Sequence, residues 1–157
     1  MTQILTIGHS NHDVLAFLEI LRKHDVQVLV DVRSEPYSRF APQFNKTDFQ
    51  HNITHAGLEY RFSGASIGGK PKDPALQTSS GLTDYDKLAA TRSFQDELKA
   101  IVELANSKRV VLMCSEGDAM SCHRERIIAQ VLRSWGVEVS HIQPDGTIQA
   151  VTQQGLF

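Results

Sequence analysis

Two short runs of this chain, VQVLVDVR (Val26 to Arg33) and RVVLMC (Arg109 to Cys114), are apolar at nearly every position instead of at alternate ones. A strand with one wet face alternates apolar and polar residues, whereas a run that is apolar throughout is covered on both sides. That pattern points to a mainly parallel sheet held between two layers of helices. QILTIG (Gln3 to Gly8) reads as a first strand, LEYRF as the third and VEVSHI as the last. Between the first two, Val14, Phe17, Leu18 and Leu21 share one helical face, with Asn11 or Asp13 as N-cap and Arg22, Lys23 and His24 at the negative end. Asn45 and Asp48 start a short helix to about His55. Ser93 and Asp96 have capping-box spacing ahead of the stripe Phe94, Leu98, Ile101, Val102 and Ala105. Ser121 is placed to cap a final helix with Ile128, Val131, Leu132 and Trp135 on one face and Gly136 as its stop. QPDGT reads as a turn before a short tail. Strands alternating with helices predict a single three-layer α/β domain over residues 1–157, with a Rossmann-like sheet and right-handed crossovers. A chain of 157 residues has the length of one such domain.

The stretch from Gly64 to Gly81, about residues 64–82, is rich in Gly, Pro and Ser and reads as a long surface loop. Its GASIGGKP segment fits a phosphate loop through Gly69 and Lys70. The next position must then supply a hydroxyl for magnesium, and it holds Pro71, so a nucleotide hydrolase of that class is excluded. The glycines suit a lid over a site instead. A formal net charge of -2 argues against a broad nucleic-acid-binding face while leaving room for a small basic pocket. Two cysteines make no secreted disulfide framework, and neither a signal-peptide start nor a long apolar span is present. The expected setting is cytoplasmic and reducing, with no membrane partner. The sequence assigns no oligomeric state.

Ligands of open α/β sheets sit beyond the carboxyl ends of the strands. GHSNH follows the first strand, DVRSEPYS the end of the second, and CSEGDAMSCHR the strand at Val110 to Met113. Each polar stretch begins as an apolar run stops, so the three are expected to share one pocket. Cys114 then stands at a strand end as candidate nucleophile, or is a small apolar filler there. Glu116 or Asp31 can accept its proton, and His9 and His123 are candidate proton carriers. Asp31 reads equally well as the partner of Arg33. A helix starting over Ser121 to Arg124 presents free N–H groups to an anion, with Arg33 and Arg124 as forked donors and Ser10, Ser38, Cys122 and His123 beside them. His12, His24, His51 and His55 read as solvated helix residues.

TIGHS (Thr6 to Ser10), DVRSEPYS (Asp31 to Ser38) and LMCSEGDAMSCHR (Leu112 to Arg124) together resemble the bacterial and archaeal family called domain of unknown function 488. GLEYRF, the pair Gly68–Gly69 and His141–Ile142 extend the similarity over nearly the whole chain. The resemblance implies a compact α/β domain with Gly8, His9, Ser10, Asp31, Arg33, Pro36, Ser38, Cys114, Glu116, Cys122, His123 and Arg124 as signature residues. It implies no agreed activity.

Function thus divides into two classes. One is an enzyme, a cysteine-dependent hydrolase or transferase, acting on a small anionic substrate such as a nucleotide or phosphorylated metabolite. Cys114, Glu116, Asp31 and His9 are its catalytic candidates, and Ser10, Arg33, Ser38, Cys122, His123 and Arg124 hold the substrate. The other is a binding module without chemistry. It either holds zinc or iron through His9, Cys114, Cys122 and His123, or serves as a nucleic-acid accessory factor. No cofactor is required by the sequence. A redox pair between Cys114 and Cys122 is also open, although it lacks the two-residue spacing of dithiol motifs.

Overall fold

The computed structural model describes residues 2–149. β1 (Gln3–Gly8), β2 (Val28–Asp31), β3 (Glu59–Phe62), β4 (Val110–Cys114) and β5 (Glu138–Ile142) pair in parallel, and β6 (Ile148–Gln149) closes one edge antiparallel. The sheet order is β3-β2-β4-β1-β5-β6. Alternate residues of the same strands enter different cores, as a sheet covered on both sides requires. Leu5, Ile7, Leu29, Val111 and Met113 meet α1 (Val14–Lys23) and α2 (Lys46–His55) through Phe17, Leu21, Phe49 and Ile53. Ile4, Val28, Val30, Val110 and Leu112 meet the opposite layer. That layer holds α3 (Gly64–Ile67), α4 (Tyr85–Ala90), α5 (Arg92–Ala105) and a π-helical segment Arg124–Ala129 that continues as α6 (Gln130–Ser134). The expected three-layer α/β architecture with a mostly parallel sheet is what the chain adopts.

This order also creates a crevice. The connections leaving β1 and β2 run toward β3 over the α1–α2 face, while those leaving β3 and β4 run toward β5 over the other face. Neighbouring β2 and β4 therefore send their chains in opposite directions, the topological switch at which open α/β sheets bind ligands. Gly8 pairs with Cys114 and Asp31 with Met113, so the carboxyl ends of β1, β2 and β4 finish nearly flush.

Local predictions needed four corrections. α5 is capped by Thr91, whose hydroxyl accepts from Phe94 N at 3.2 Å; Ser93 lies inside the helix and its hydroxyl meets Ser66, while Asp96 pairs with Arg92. The signal was ambiguous because Thr91 and Ser93 both offer hydroxyls at the same helix end. Secondly, the glycine-rich segment carries α3, a 3₁₀ turn at Pro74–Leu76 and an antiparallel bridge between Gln77 and Thr83. Lys70 N donates to Ser34 Oγ and Thr83 Oγ1 donates to Gly69 O, which tie the segment to the loop after β2 and close it on itself. The tail after QPDGT begins with β6; what was read beyond residue 149 lies outside the described residues. Finally, His12 and His24 are not simply solvated: their Nε2 atoms meet Pro144 O and Gly146 O and tie α1 to the β5–β6 turn. Among the described residues, no helix is long and apolar enough to cross a membrane.

Candidate active site

At the end of β2 the chain must satisfy a buried charge. Asp31 is fully buried, and each of its oxygens is engaged twice. Oδ1 accepts from Arg33 N at 3.1 Å and Arg33 Nε at 2.9 Å; Oδ2 accepts from Arg33 Nη2 at 2.8 Å and the Tyr60 hydroxyl at 2.6 Å. The remaining terminal nitrogen, Arg33 Nη1, donates to His9 Nε2 at 3.3 Å, so His9 carries its hydrogen on Nδ1 and gives it to Ser10 O at 2.7 Å. The imidazole stacks on Phe44 with ring centres 4.5 Å apart. Burial, with the Arg33 charge adding to it, lowers the His9 pKa from 6.5 to about 4, against the raising effect of its Ser10 bond. His9 is thus neutral near pH 7 and serves to hold Arg33, and Asp31 has no free lone pair aimed at a substrate. Both were candidates for moving protons, Asp31 equally as the partner of Arg33; in the structure both are bonded to Arg33. Burial and the neighbouring Asp31 likewise push the Tyr60 hydroxyl far above its usual value, which keeps it a donor.

The end of β4 is organised differently. After Cys114, Asp118 caps a 3₁₀ turn at Ala119–Ser121, and Cys122 is extended (φ -125°, ψ 156°). The helix therefore starts one step later than Ser121 to Arg124, and Ser121 bonds Asp118 instead of capping it. Cys122 takes the capping role: its carbonyl accepts from Glu125 N and Arg126 N, and its sulfur accepts from Arg124 N at 3.5 Å. The same sulfur lies 3.4 Å from His123 Nδ1 and 2.8 Å from Cys114 Sγ. His123 Nε2 faces Val32 O at 3.2 Å and so carries a hydrogen, leaving Nδ1 to share a proton with Cys122. The thiol of Cys114, with smaller help from His123 and Arg124 N, draws the Cys122 pKa far below the ordinary thiol value against the cost of burial. Burial drives Cys114 the other way. Of the two sulfurs, Cys122 is the one that also receives a backbone N–H, from Arg124. π-Helical turns such as the one that follows it are frequent at functional sites.

Arg124 is wholly buried and donates to Thr6 Oγ1 at 3.0 Å and Glu116 O at 2.7 Å. Its fork holds the 115–121 segment from beneath and does not reach the pocket, which corrects its placement as an anion donor. Gly8 lies so close under that segment that a Cβ there would sit 1.6 Å from Glu116 O. Arg33, Ser38, Cys114, Glu116, Cys122 and His123 do line one cleft of about 760 Å³, with Lys70 and Glu35 at its walls and Tyr37, Phe40 and Tyr85 among its rings. Ser38 uses its hydroxyl to accept from Phe40 N and Ala41 N. Ser10 and His9 stand outside the lining; Ser10, at a left-handed φ of 49°, ties its N–H to Ser115 O.

The family model described as Domain of unknown function DUF488 matches residues 13–132. The chain belongs to the DUF488 family. No curated protein and no solved structure matches it. The match takes in every cleft residue of this DUF488 chain and begins just after His9 and Ser10.

Several polar residues bonded to these groups were not singled out from the sequence as site residues. Tyr60 was assigned only to a strand, and His141 and Thr6 only to recognisable runs. His141 bonds Thr6 Oγ1 and Glu125 Oε1, and Glu125 is gripped by Arg133 at 2.8 Å, forming a buried chain behind Arg124. An isolated polar residue facing inward from a strand was the only available hint. The alternative metal set does not fit. His9 has both ring nitrogens engaged, and among the described residues no group of at least three His, Cys, Asp or Glu side chains is arranged to hold a metal ion.

Proposed function

We propose that the cleft is the active site of a cysteine-dependent hydrolase or transferase for a small anionic substrate, and that Cys122, not Cys114, is the nucleophile. The supporting observation is the donor shell around Cys122 Sγ at the cleft wall: Cys114, His123 Nδ1 and Arg124 N all face it. A thiol beside a histidine at a helix start is an activated nucleophile. Arg33 and Lys70 supply positive charge to the cleft, and Arg33 Nη1 and Nη2 each carry a second hydrogen beyond those given to His9 and Asp31. Glu35 and Glu116 on the same walls accept hydrogen bonds, which suits an anion that also bears O–H or N–H groups, such as a nucleotide or sugar phosphate.

In the first step the Cys122 sulfur bonds to an electrophilic carbonyl carbon or phosphorus. The bond to the leaving group breaks, and the leaving group takes its electron pair together with the proton shared with His123. Water, in a hydrolase, or an acceptor hydroxyl or amine, in a transferase, then displaces the sulfur and returns a proton to His123. Asp31 and His9 act through Arg33, whose orientation they set. A working thiolate must stay reduced, which suits a cytoplasmic setting.

Alkylation kinetics test this assignment. Iodoacetate should label Cys122 at about pH 5, where an ordinary thiol with a pKa of about 8.5 is almost unreactive. Labelling should slow in millimolar inorganic phosphate and should outpace neutral iodoacetamide. Labelling of Cys114 first, or a rate that rises only through the ordinary thiol range, overturns the choice of nucleophile. Indifference to phosphate overturns the anionic substrate.

A further inference from the structure

The sulfurs of Cys114 and Cys122 lie 2.8 Å apart, in a chain where both cysteines are free. A disulfide bond is about 2.05 Å long, so they stand less than an ångström from bonding distance. They belong to different structural units: Cys114 ends a central strand, and Cys122 starts a helix after the short 115–121 segment. The start of that segment is anchored. Ser10 N and Arg124 hold Ser115 O and Glu116 O, and Gly8 packs beneath it. The contact is thus built by the fold and not by a mobile loop. Cys122 Sγ accepts from Arg124 N and faces His123 Nδ1, whereas Cys114 Sγ faces Glu116 O at 3.7 Å and Cys122. One reactive sulfur at a cleft wall with a second sulfur beside it, within reach of bonding, is the arrangement of an attacking and a resolving cysteine.

We propose that Cys114 and Cys122 form a peroxide-responsive dithiol, in which Cys122 is oxidised by a hydroperoxide and Cys114 resolves it to an intramolecular disulfide. The pairing rests on Cys122 being the reactive thiolate and needs no anionic substrate. The Cys122 thiolate attacks the terminal peroxide oxygen. An S–O bond forms, the O–O bond breaks, and the alkoxide or hydroxide leaves with the proton shared with His123. Sulfur loses two electrons and the peroxide gains them. Cys114 then attacks the sulfenic sulfur: the S–S bond forms, the S–O bond breaks, and hydroxide departs as water with the Cys114 proton. Two equivalents of a small thiol reverse the reaction and leave as their own disulfide. Oxidation removes the thiolate from His123 Nδ1 and Arg124 N, so it silences the proposed nucleophile while it lasts.

Intact-protein mass spectrometry of the full chain with hydrogen peroxide as oxidant tests the proposal. Wild type should lose two hydrogen atoms, lose both alkylatable thiols and recover them with dithiothreitol. Cys114→Ser should instead give a sulfenic acid at Cys122, trapped by dimedone, that proceeds to higher oxides. Cys122→Ser should leave Cys114 reduced. If wild-type Cys122 alkylates at low pH yet peroxide carries it directly to sulfinic acid, the pairing falls and the nucleophile assignment stands. If Cys122 resists both reagents, both fall. Because the wild-type readout needs no variant, a misfolded mutant cannot mask the answer.

Discussion

Two ionisable clusters meet at the same rim of the sheet, one after β2 and one after β4, and they complete their hydrogen bonding in opposite ways. Asp31, Arg33, Tyr60 and His9 satisfy one another, with the carboxylate closed on all sides. Around Cys122, Arg124 N donates to a single sulfur that borders the cleft, and Cys114 Sγ and His123 Nδ1 lie within hydrogen-bonding distance of the same atom. The first cluster is a framework that fixes one guanidinium; the second gathers polar groups around one sulfur. The residue types would allow either cluster to be reactive. What separates them is whether each acceptor has a permanent partner.

Removing parts of each cluster sharpens that contrast. Asp31→Ala leaves the buried Arg33 charge unpaired and should cost about 3–5 kcal/mol in urea unfolding. A loss below about 1 kcal/mol would mean that the pair is no framework. Next in size is a pH effect. The folded His9 value of about 4 lies below the free value of 6.5, so between them the unfolded chain binds a proton that the folded chain refuses. Stability should therefore fall as pH drops through that window, by up to about 3 kcal/mol. His9→Gln still accepts from Arg33 and does not titrate, so it should reduce the slope; His141, Glu97 and Cys122, also lowered, contribute to what remains. An unchanged slope would remove His9 from the account.

On the other side, Gly69→Ala places a methyl 2.8 Å from the His123 ring. It should cost only about 1–2 kcal/mol while slowing Cys122 alkylation at low pH, because the imidazole must shift off the sulfur. Full retention of that reactivity would show that His123 is a bystander. Smallest in stability is Cys122→Ser, expected within about 1 kcal/mol in thermal or urea unfolding but with all low-pH alkylation gone. Cys122 is buried at the edge of the core, and a large stability loss there would mean that it serves chiefly as packing and would erase the difference between the clusters.

Much of this was legible beforehand for a plain reason: burial on both faces leaves a continuous apolar signature, and the strand ends follow from where it stops. VVLMC marked β4, and with it the location of Cys114. Where two hydroxyls competed for one helix end, local spacing could not choose, and Thr91 prevailed over Ser93. β6 was missed because a strand of two residues has no periodicity to read.

The sequence by itself determined the layered α/β architecture and gathered histidine, aspartate, arginine and cysteine at one rim, since hydrophobic patterning is a local property of the chain. Tertiary structure alone decided their partners. Arg124 faces inward to carbonyls, Asp31 is saturated by Arg33 and Tyr60, and Cys122 rather than Cys114 collects the donors. Such pairings depend on the distance and direction of groups far away in the chain, and hydrogen bonding and desolvation change steeply over a single ångström.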